Sequence, residues 1–217
     1  MRTVKKPDIR RNEILDAAEA LFAEKGYART TINDILLAQD IAKGTFYHYF
    51  ASKEELMEAM VARSIGKGLE TIRGIADDGT LPATEKLRLI ITAPGPETAH
   101  KDRMSEEMHL SGNAELHLRS LVESVLGLAP VVTEIVEQGI REGAFATPCP
   151  GEVVELVLTA SQFLLDTGVF PSSLDTQIRR ARALAHVMEA SLGAAPGTFS
   201  YIHTRYEDMA KNRSRPE

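Results

Sequence analysis

Hydrophobic residues recur at helical spacing along most of this chain, and glycine, proline and polar turns separate the periodic segments. In residues 8–25, five apolar side chains share one helical face: Ile14, Leu15, Ala18, Leu21 and Phe22. A short helix is predicted after Thr31, because Asp34 follows three residues later in the pattern of a capping box. A turn at Asp40 leads to a second short helix, predicted at residues 43–49. The N-terminal part is therefore predicted to be a group of connected helices.

The rest of the chain shows the same helical pattern and no alternation typical of strands. Further helices are predicted from Ser52 to about residue 66 or beyond, and at residues 83–92, 97–110, 114–142, 151–167 and 174–192. Pro130 predicts a kink or a break in the longest of them. Residues 197–217 have a weaker helical pattern, carried by Tyr201, Ile202, Tyr206 and Met209. The fold class is therefore predicted to be all-α.

The net charge of −6 is distributed unevenly along the chain. Residues 1–65 carry 10 Lys and Arg against 10 Asp and Glu, so the whole negative excess lies in residues 66–217. Five cations precede residue 12, opposed by Asp8 alone: Arg2, Lys5, Lys6, Arg10 and Arg11. Such a basic arm contacts phosphates in some proteins and is a solvated tail in others, and both interpretations stay open.

Composition excludes several classes of protein. A hydrophobic content of 43% is enough for a packed core in one large or two small domains. No signal peptide is apparent, and the most apolar stretch, residues 153–170, carries Glu155 and Asp166, so no membrane span is expected. Cys149 is the single cysteine, which excludes internal disulfides and fits a cytoplasmic location.

Residues 31–56 have the layout of a helix-turn-helix: a short helix, a tight turn, a second short helix and a capped third helix. The second helix of such a motif enters the major groove of DNA. In this chain it carries lysine, threonine, tyrosine and histidine within residues 43–49. These groups donate to phosphates or reach base edges, so the pattern indicates DNA binding.

The chain resembles the TetR/AcrR family of bacterial transcriptional regulators over about residues 9–60. The resemblance rests on Ala20-Leu-Phe-Ala-Glu-Lys-Gly-Tyr27, Thr30-Thr-Ile-Asn-Asp-Ile35, Lys43-Gly-Thr-Phe-Tyr-His-Tyr-Phe50 and Ser52-Lys-Glu-Glu-Leu56. Two positions depart from the family pattern. Asp40 stands where glycine is common, and Ala42 stands where serine or threonine commonly caps the next helix. A missing cap costs roughly 0.5–2 kcal/mol locally.

The resemblance implies that seven residues face DNA: Thr31, Lys43, Gly44, Thr45, Tyr47, His48 and Lys53. Lys43 and Lys53 are mobile point charges suited to phosphates, and the Tyr47 hydroxyl can also donate to a phosphate. Thr45 and His48 are the candidates for contacts with base edges.

Gly44 is expected to allow a close approach of the backbone. The neighbouring aromatic residues have a different expected role. Phe46 and Phe50 are expected in the core, where they hold the second helix in place, whereas Tyr49 fits either role.

The resemblance further implies two domains: a helix-turn-helix DNA-binding domain at residues 1–65, and a helical ligand-binding and dimerisation domain at residues 66–217. A homodimer on a palindromic double-stranded DNA operator is expected, because a single DNA-binding domain, here called the head, makes too small an interface with DNA for tight binding. The helix at residues 151–167 is apolar nearly all round and must be buried on several sides. The predicted dimer contacts are Val157, Leu164, Leu184 and Met188. A purely intramolecular core is the alternative.

A small-molecule effector is expected in the second domain, as in similar proteins. Its predicted lining residues are Met104, Met108, His109, Leu116, His117, Leu121 and Phe163, with ordinary core positions as the alternative. Glu106 and His109 stand one helical turn apart, as in some metal sites, but no second group of ligands accompanies them. No metal and no cofactor is therefore expected.

The predicted function is a DNA-binding transcriptional regulator, a repressor that a small molecule releases from its operator. One alternative is an architectural DNA-binding dimer without a ligand, whose second domain would be a filled core. The other alternative is a helical-bundle enzyme. It has little support, because Cys149 has no histidine near it in sequence and no phosphate-binding loop or HExxH motif occurs.

Overall fold

The computed structural model describes residues 6–92 and 114–213 of the chain. Within these ranges every long element is an α-helix and no strand occurs, which confirms the predicted fold class. The helices of the described residues are α1 (Pro7–Lys25), α2 (Ile32–Gln39), α3 (Lys43–Tyr49), α4 (Lys53–Ala76), α5 (Ala83–Thr92), α6 (Ala114–Arg141), α7 (Pro150–Leu164), α8 (Leu174–Leu192) and α9 (Tyr201–Arg213). The helix predicted at residues 97–110 lies outside the described residues.

The first of two structural units contains the described residues 6–67 and 114–120. Its core is a cluster of buried side chains from α1 to α4: Ile14, Leu15, Ala18, Phe22, Ile35, Ile41, Phe46, Phe50, Leu56, Met57, Met60 and Val61. Arg63 of α4 ties that helix to α1 through ion pairs with Asp16, at 2.6 Å, and Glu19, at 2.7 Å. The helix-turn-helix therefore rests on a core of its own.

A capping box fixes where α2 begins, whereas α3 begins without a side-chain cap. The Thr31 hydroxyl accepts a hydrogen bond from the Asp34 backbone N–H at 3.1 Å, which confirms the predicted capping box. Asp40 ends α2 in the left-handed region, with φ 47°, a conformation that aspartate tolerates better than most residues. Ala42 precedes α3 and makes no side-chain cap, as the departure from the family pattern predicts.

The second unit contains the described residues 68–92 and 121–213. Its core draws on α5 to α9, and α9 packs against α5 and α8. The break considered at Pro130 does not occur, because α6 continues through this residue to Arg141. Because proline has no backbone N–H, the carbonyl of Leu126, four residues earlier, has no donor within the helix. Leu126 lies on the exposed side of α6, where water can donate to this carbonyl. No helix within the described residues is long and apolar enough to span a membrane.

Candidate DNA-binding surface and ligand cavity

One face of α3 is fixed in the core while the opposite face is exposed. Phe46 and Phe50 are 0% and 1% exposed, as predicted, and their ring centroids lie 5.9 Å apart. Lys43, Tyr47 and His48 are exposed on the same helix, although the Tyr47 ring also packs edge-on against Phe46, with centroids 5.5 Å apart. Within the described part of the chain their side chains make no hydrogen bond. The helix therefore presents uncommitted polar groups on a rigidly held backbone.

The exposed groups of α3 lie close to one another. The Lys43 ammonium is 5.8 Å from the centroid of the Tyr47 ring, one helical turn away. His48 follows on the same exposed side, and its ring centroid lies 4.9 Å from that of Tyr49. Thr45 is half-buried, so less of its side chain is available to a partner. This arrangement brings a cation, a phenol and an imidazole together on about two turns of helix.

Gly44 has no packing reason to be a glycine. A Cβ built on this residue meets no other atom within 4 Å, and the backbone of α3 is helical there. Glycine within a helix is less stable than alanine by roughly 0.5–1 kcal/mol. The missing side chain therefore carries a cost that no contact inside the described structure explains, as is also true of Gly66, Gly68 and Gly74 in α4.

Two of the residues expected to face DNA are engaged inside the protein. The N–H and the hydroxyl of Thr31 both donate to the Asp34 carboxylate, each at 2.8 Å. The Lys53 ammonium donates to the carbonyls of Tyr27 and Thr30 at 3.0 Å, and it lies 4.2 Å from the centroid of the Tyr27 ring. Both side chains hold the start of α2 and α4 in place. No local sequence pattern predicts these contacts of Lys53, because the carbonyls lie more than 20 residues away in the chain.

The carboxyl group of the capping box, Asp34, has a pKa below its ordinary value. Hydrogen bonds from the backbone and the side chain of Thr31 lower the pKa of the Asp34 carboxyl from 3.8 to about 2, and Lys25 contributes to the same shift. The Lys25 ammonium lies 3.0 Å from the carboxylate. Asp34 is therefore ionised in the folded chain at every pH above about 3.

We expect the first unit to lose stability as the pH falls from about 4 to about 2. A carboxyl whose pKa is lower in the folded state stabilises that state fully above its ordinary value of 3.8, and the stabilisation disappears as the pH falls through about 2. Asp34→Asn should flatten this part of the profile, measured as melting temperature by circular dichroism in steps between these values. An Asp34→Asn profile as steep as the wild type would contradict the assignment.

The second unit contains a cavity of about 200 Å³ between α5, α6, α7, α8 and α9. Most of its lining side chains are leucine, isoleucine and valine. The polar ones among them are Ser161, Tyr201, Arg205 and Tyr206. Tyr201, Arg205 and Tyr206 of α9 were not among the predicted ligand-binding residues. Only the weak helical pattern of residues 197–217 indicated that a helix would be present there. A cavity of this kind can hold a small, largely apolar molecule.

The residues predicted to bind the ligand are not brought together at this cavity. Leu116 packs against the core cluster of the first unit, and His117 lies beside it on α6. Leu121 is 8% exposed, Phe163 is half-buried, and neither lines the cavity. Met104, Met108 and His109 lie outside the described residues, so the structure says nothing of them. The prediction placed the site beside residues 97–110, whereas the cavity lies beside α9.

Three of the four residues predicted at the dimer interface face the interior of the chain. Val157, Leu184 and Met188 line the cavity, and Met188 is only 6% exposed. Val157 and Leu184 are half-buried, so contacts within one chain cover only part of these two side chains. Leu164 differs from them, because 43% of it is exposed.

The described residues offer no metal site, since no group of three or more His, Cys, Asp or Glu in them could hold an ion. The pair Glu106 and His109 lies outside these residues.

Comparison with known proteins finds the same family at both ends of the chain. The family model "Bacterial regulatory proteins, tetR family" matches residues 14–60, and "Tetracyclin repressor-like, C-terminal domain" matches residues 98–185. The first match contains α2, α3 and their caps, and the second reaches into α8. These are families of regulatory DNA-binding proteins and not of enzymes.

Individual relatives agree with the family models. The HTH-type transcriptional repressor KstR2 of Mycobacterium tuberculosis is 36% identical over 163 residues, which cover 73% of this chain and 77% of that protein. KstR2 of Rhodococcus jostii is 30% identical over 165 residues, covering 73% and 76%. A transcriptional regulator from Cytophaga hutchinsonii shares the fold, with a TM-score of 0.65 at 18% identity over 85% of this chain and 97% of the other. The chain therefore belongs to the TetR family of bacterial transcriptional regulators.

Proposed function

We propose that this chain is a repressor that binds a palindromic double-stranded DNA operator as a homodimer and leaves it when a small molecule enters the second unit. The observation that carries the proposal is the exposed face of α3, with Lys43, Tyr47 and His48 uncommitted on a helix anchored by Phe46 and Phe50. Both KstR2 relatives are named as repressors, which supports repression as the mode of regulation.

The roles on DNA follow from the chemistry of each group. Lys43 and the Tyr47 hydroxyl contact phosphates, and His48 with Thr45 reaches base edges in the major groove. Arg11 of α1 adds a cation to the same region, since its guanidinium lies 5.1 Å from the centroid of the Phe50 ring, directly after α3. Lys53 keeps one ammonium hydrogen beyond its two carbonyl contacts and can add a phosphate contact at the edge of the surface.

The proposed dimer surface is the outer side of α7 and α8, which pack on each other. Three large apolar side chains are exposed there: Leu156 at 71%, Leu164 at 43% and Val187 at 53%. This set replaces Val157, Leu184 and Met188 as the candidate interface. Because related dimers are two-fold symmetric, the same patch on each chain would face its copy.

The proposed effector site is the cavity of the second unit. A ligand can release the operator only if it binds the released conformation more tightly than the DNA-bound one. The cavity favours this reading over an architectural protein without a ligand, whose second unit would be a filled core. We place the DNA-binding domain at residues 1–65, the ligand-binding and dimerisation domain at residues 66–217, and the protein in the cytoplasm with the bacterial chromosome.

The function is tested by selecting DNA from a random pool with the purified full chain. A palindromic sequence that the protein binds as a dimer, measured by fluorescence anisotropy and light scattering, is the expected result. A pool that shows no enriched palindrome after repeated selection would contradict operator binding.

The selected operator then tests the role of Tyr47. Removing the hydroxyl in Tyr47→Phe should weaken binding roughly tenfold at each sequence tested, because a phosphate contact carries no base information. The measurement compares the operator with several single-base variants for the wild type and for Tyr47→Phe. A changed order of preference among these sequences would instead place the hydroxyl on a base edge.

A further inference from the structure

The cavity contains a buried hydroxyl without a hydrogen-bond partner in the part of the chain that the structure describes. Tyr201 is the first residue of α9, and its ring centroid lies 6.1 Å from that of Phe199. Its phenolic oxygen is buried, and among the described residues it makes no hydrogen bond. The side chain lines the cavity. Leaving a buried hydroxyl unpaired is unfavourable, so such groups in native proteins call for an explanation, and a ligand is one.

The surroundings make Tyr201 a hydrogen-bond donor to whatever occupies the cavity. Burial raises the pKa of the Tyr201 phenol, and Arg88 lowers it by less, so the group keeps its proton at neutral pH. The Ser161 hydroxyl does not compete for the same role, because it donates to the Leu158 carbonyl at 2.9 Å. Arg205, also from α9, is exposed and makes one long hydrogen bond to the Ile91 carbonyl, at 3.4 Å. Its charge is available at the edge of the cavity.

We infer that the effector is an apolar molecule carrying one carbonyl-type oxygen, which accepts a hydrogen bond from the Tyr201 hydroxyl inside the cavity. A cavity of about 150 Å³ holds a benzene molecule, so 200 Å³ corresponds to roughly eight enclosed non-hydrogen atoms. The carbonyl-type oxygen belongs either to a neutral ketone or ester or to a carboxylate whose charge Arg205 balances. This inference rests on the proposed effector site and adds the class of ligand and the residue that recognises it.

Three probes of nearly equal size and shape test the inference on the full chain without DNA: cumene, acetophenone and benzoate. Cumene has no polar atom, acetophenone has a ketone, and benzoate has a carboxylate. Their affinities are measured by titration calorimetry for the wild type, for Tyr201→Phe and for Tyr206→Phe. Cumene is more hydrophobic than the two polar probes, so the affinities of different probes for one protein are not compared. The affinity of each probe is instead compared between the wild type and the variants.

The expected result is a loss of roughly tenfold in the affinity of acetophenone or benzoate in Tyr201→Phe, with no loss for cumene. Tyr206→Phe, the matched control from the same helix and the same cavity, should leave all three affinities within about twofold. Binding that Tyr206→Phe weakens while Tyr201→Phe leaves it intact would overturn the assignment of the donor. Failure of all three probes to bind the wild type would overturn the ligand class.

Arg205→Gln distinguishes the two sources of the oxygen. If Arg205→Gln lowers the affinity of benzoate alone, the ligand is a carboxylate. If the affinity of acetophenone depends on Tyr201 and is unchanged in Arg205→Gln, the ligand is a neutral carbonyl compound. Either result identifies the source of the oxygen, and the Tyr201→Phe titrations test the role of Tyr201 itself. Because the titrations are made without DNA, a negative result for the probes does not affect the conclusion on operator binding. A negative result for operator binding likewise does not affect the conclusion on the ligand.

The stability of the unliganded chain provides a second readout. If the hydroxyl has no partner, Tyr201→Phe should melt at the wild-type temperature or a few degrees above it. A lower melting temperature, with Tyr206→Phe unchanged, would mean that the hydroxyl already has a partner in the free protein, and that result would overturn the inference.

Discussion

Gly44→Ala should bind the operator roughly a hundredfold more weakly than the wild type while its first unit becomes more stable. Apart from its chain neighbours and the backbone of its own helix, the added methyl group meets no atom within 4 Å, and alanine favours a helix over glycine by roughly 0.5–1 kcal/mol. The same methyl group would stand between α3 and the DNA. Losing one charge-assisted contact of the backbone costs about 1.5–3 kcal/mol, and the loss occurs in both heads of a dimer.

Opposite signs for stability and affinity make this substitution informative, because a merely destabilised variant would lower both. Gly66→Ala is the matched control, since Gly66 lies within α4 and a Cβ there also meets no atom within 4 Å. Both variants should melt slightly above the wild type, and only Gly44→Ala should lose affinity in fluorescence anisotropy. Operator binding by Gly44→Ala at the wild-type level would show that DNA does not come close to this part of α3.

Short-range signals explain why the head was predictable. The bounds of α2 and α3 follow from a capping box, a turn residue and a group of aromatic side chains, each within a few residues of the element it defines. The separation of Phe46 and Phe50 from Tyr47 follows from helical periodicity alone. Helical periodicity therefore separates the buried Phe46 from the exposed Tyr47, whereas it left Tyr49 undecided and did not predict that Thr45 is half-buried.

Long-range packing explains what was not predictable. The α7 segment is apolar nearly all round, so periodicity cannot separate the face that packs within the chain from the face left for a partner. Val157 consequently lines a cavity while Leu156, its neighbour in sequence, is 71% exposed. The cavity itself needs side chains from five helices spread over more than 100 residues. Its position depends on how those helices pack, and no local pattern encodes that.

Leu164→Lys should convert the proposed dimer to a monomer. The exposed leucine lies at the end of α7, on the proposed dimer surface, and two-fold symmetry would bring two lysines into the same apolar interface. Burying an unpaired charge costs several kcal/mol, so dimer affinity should fall at least roughly a hundredfold. The monomer should stay folded, because a positive charge in the last turn of a helix interacts favourably with its free carbonyl groups.

The measurement is the molar mass in solution by chromatography with light scattering, followed by operator binding. Losing the second head removes an avidity gain of about 10²–10⁴, so operator binding should nearly disappear at concentrations where the wild type saturates. Leu126→Lys is the matched control, because Leu126 is a leucine on α6 with 68% exposure, outside the proposed surface. A Leu164→Lys protein that remains dimeric while Leu126→Lys dissociates would move the interface from α7 and α8 to α6. In that case dimerisation would not explain why Leu156 and Val187 are exposed, because both lie on α7 and α8, outside the revised interface.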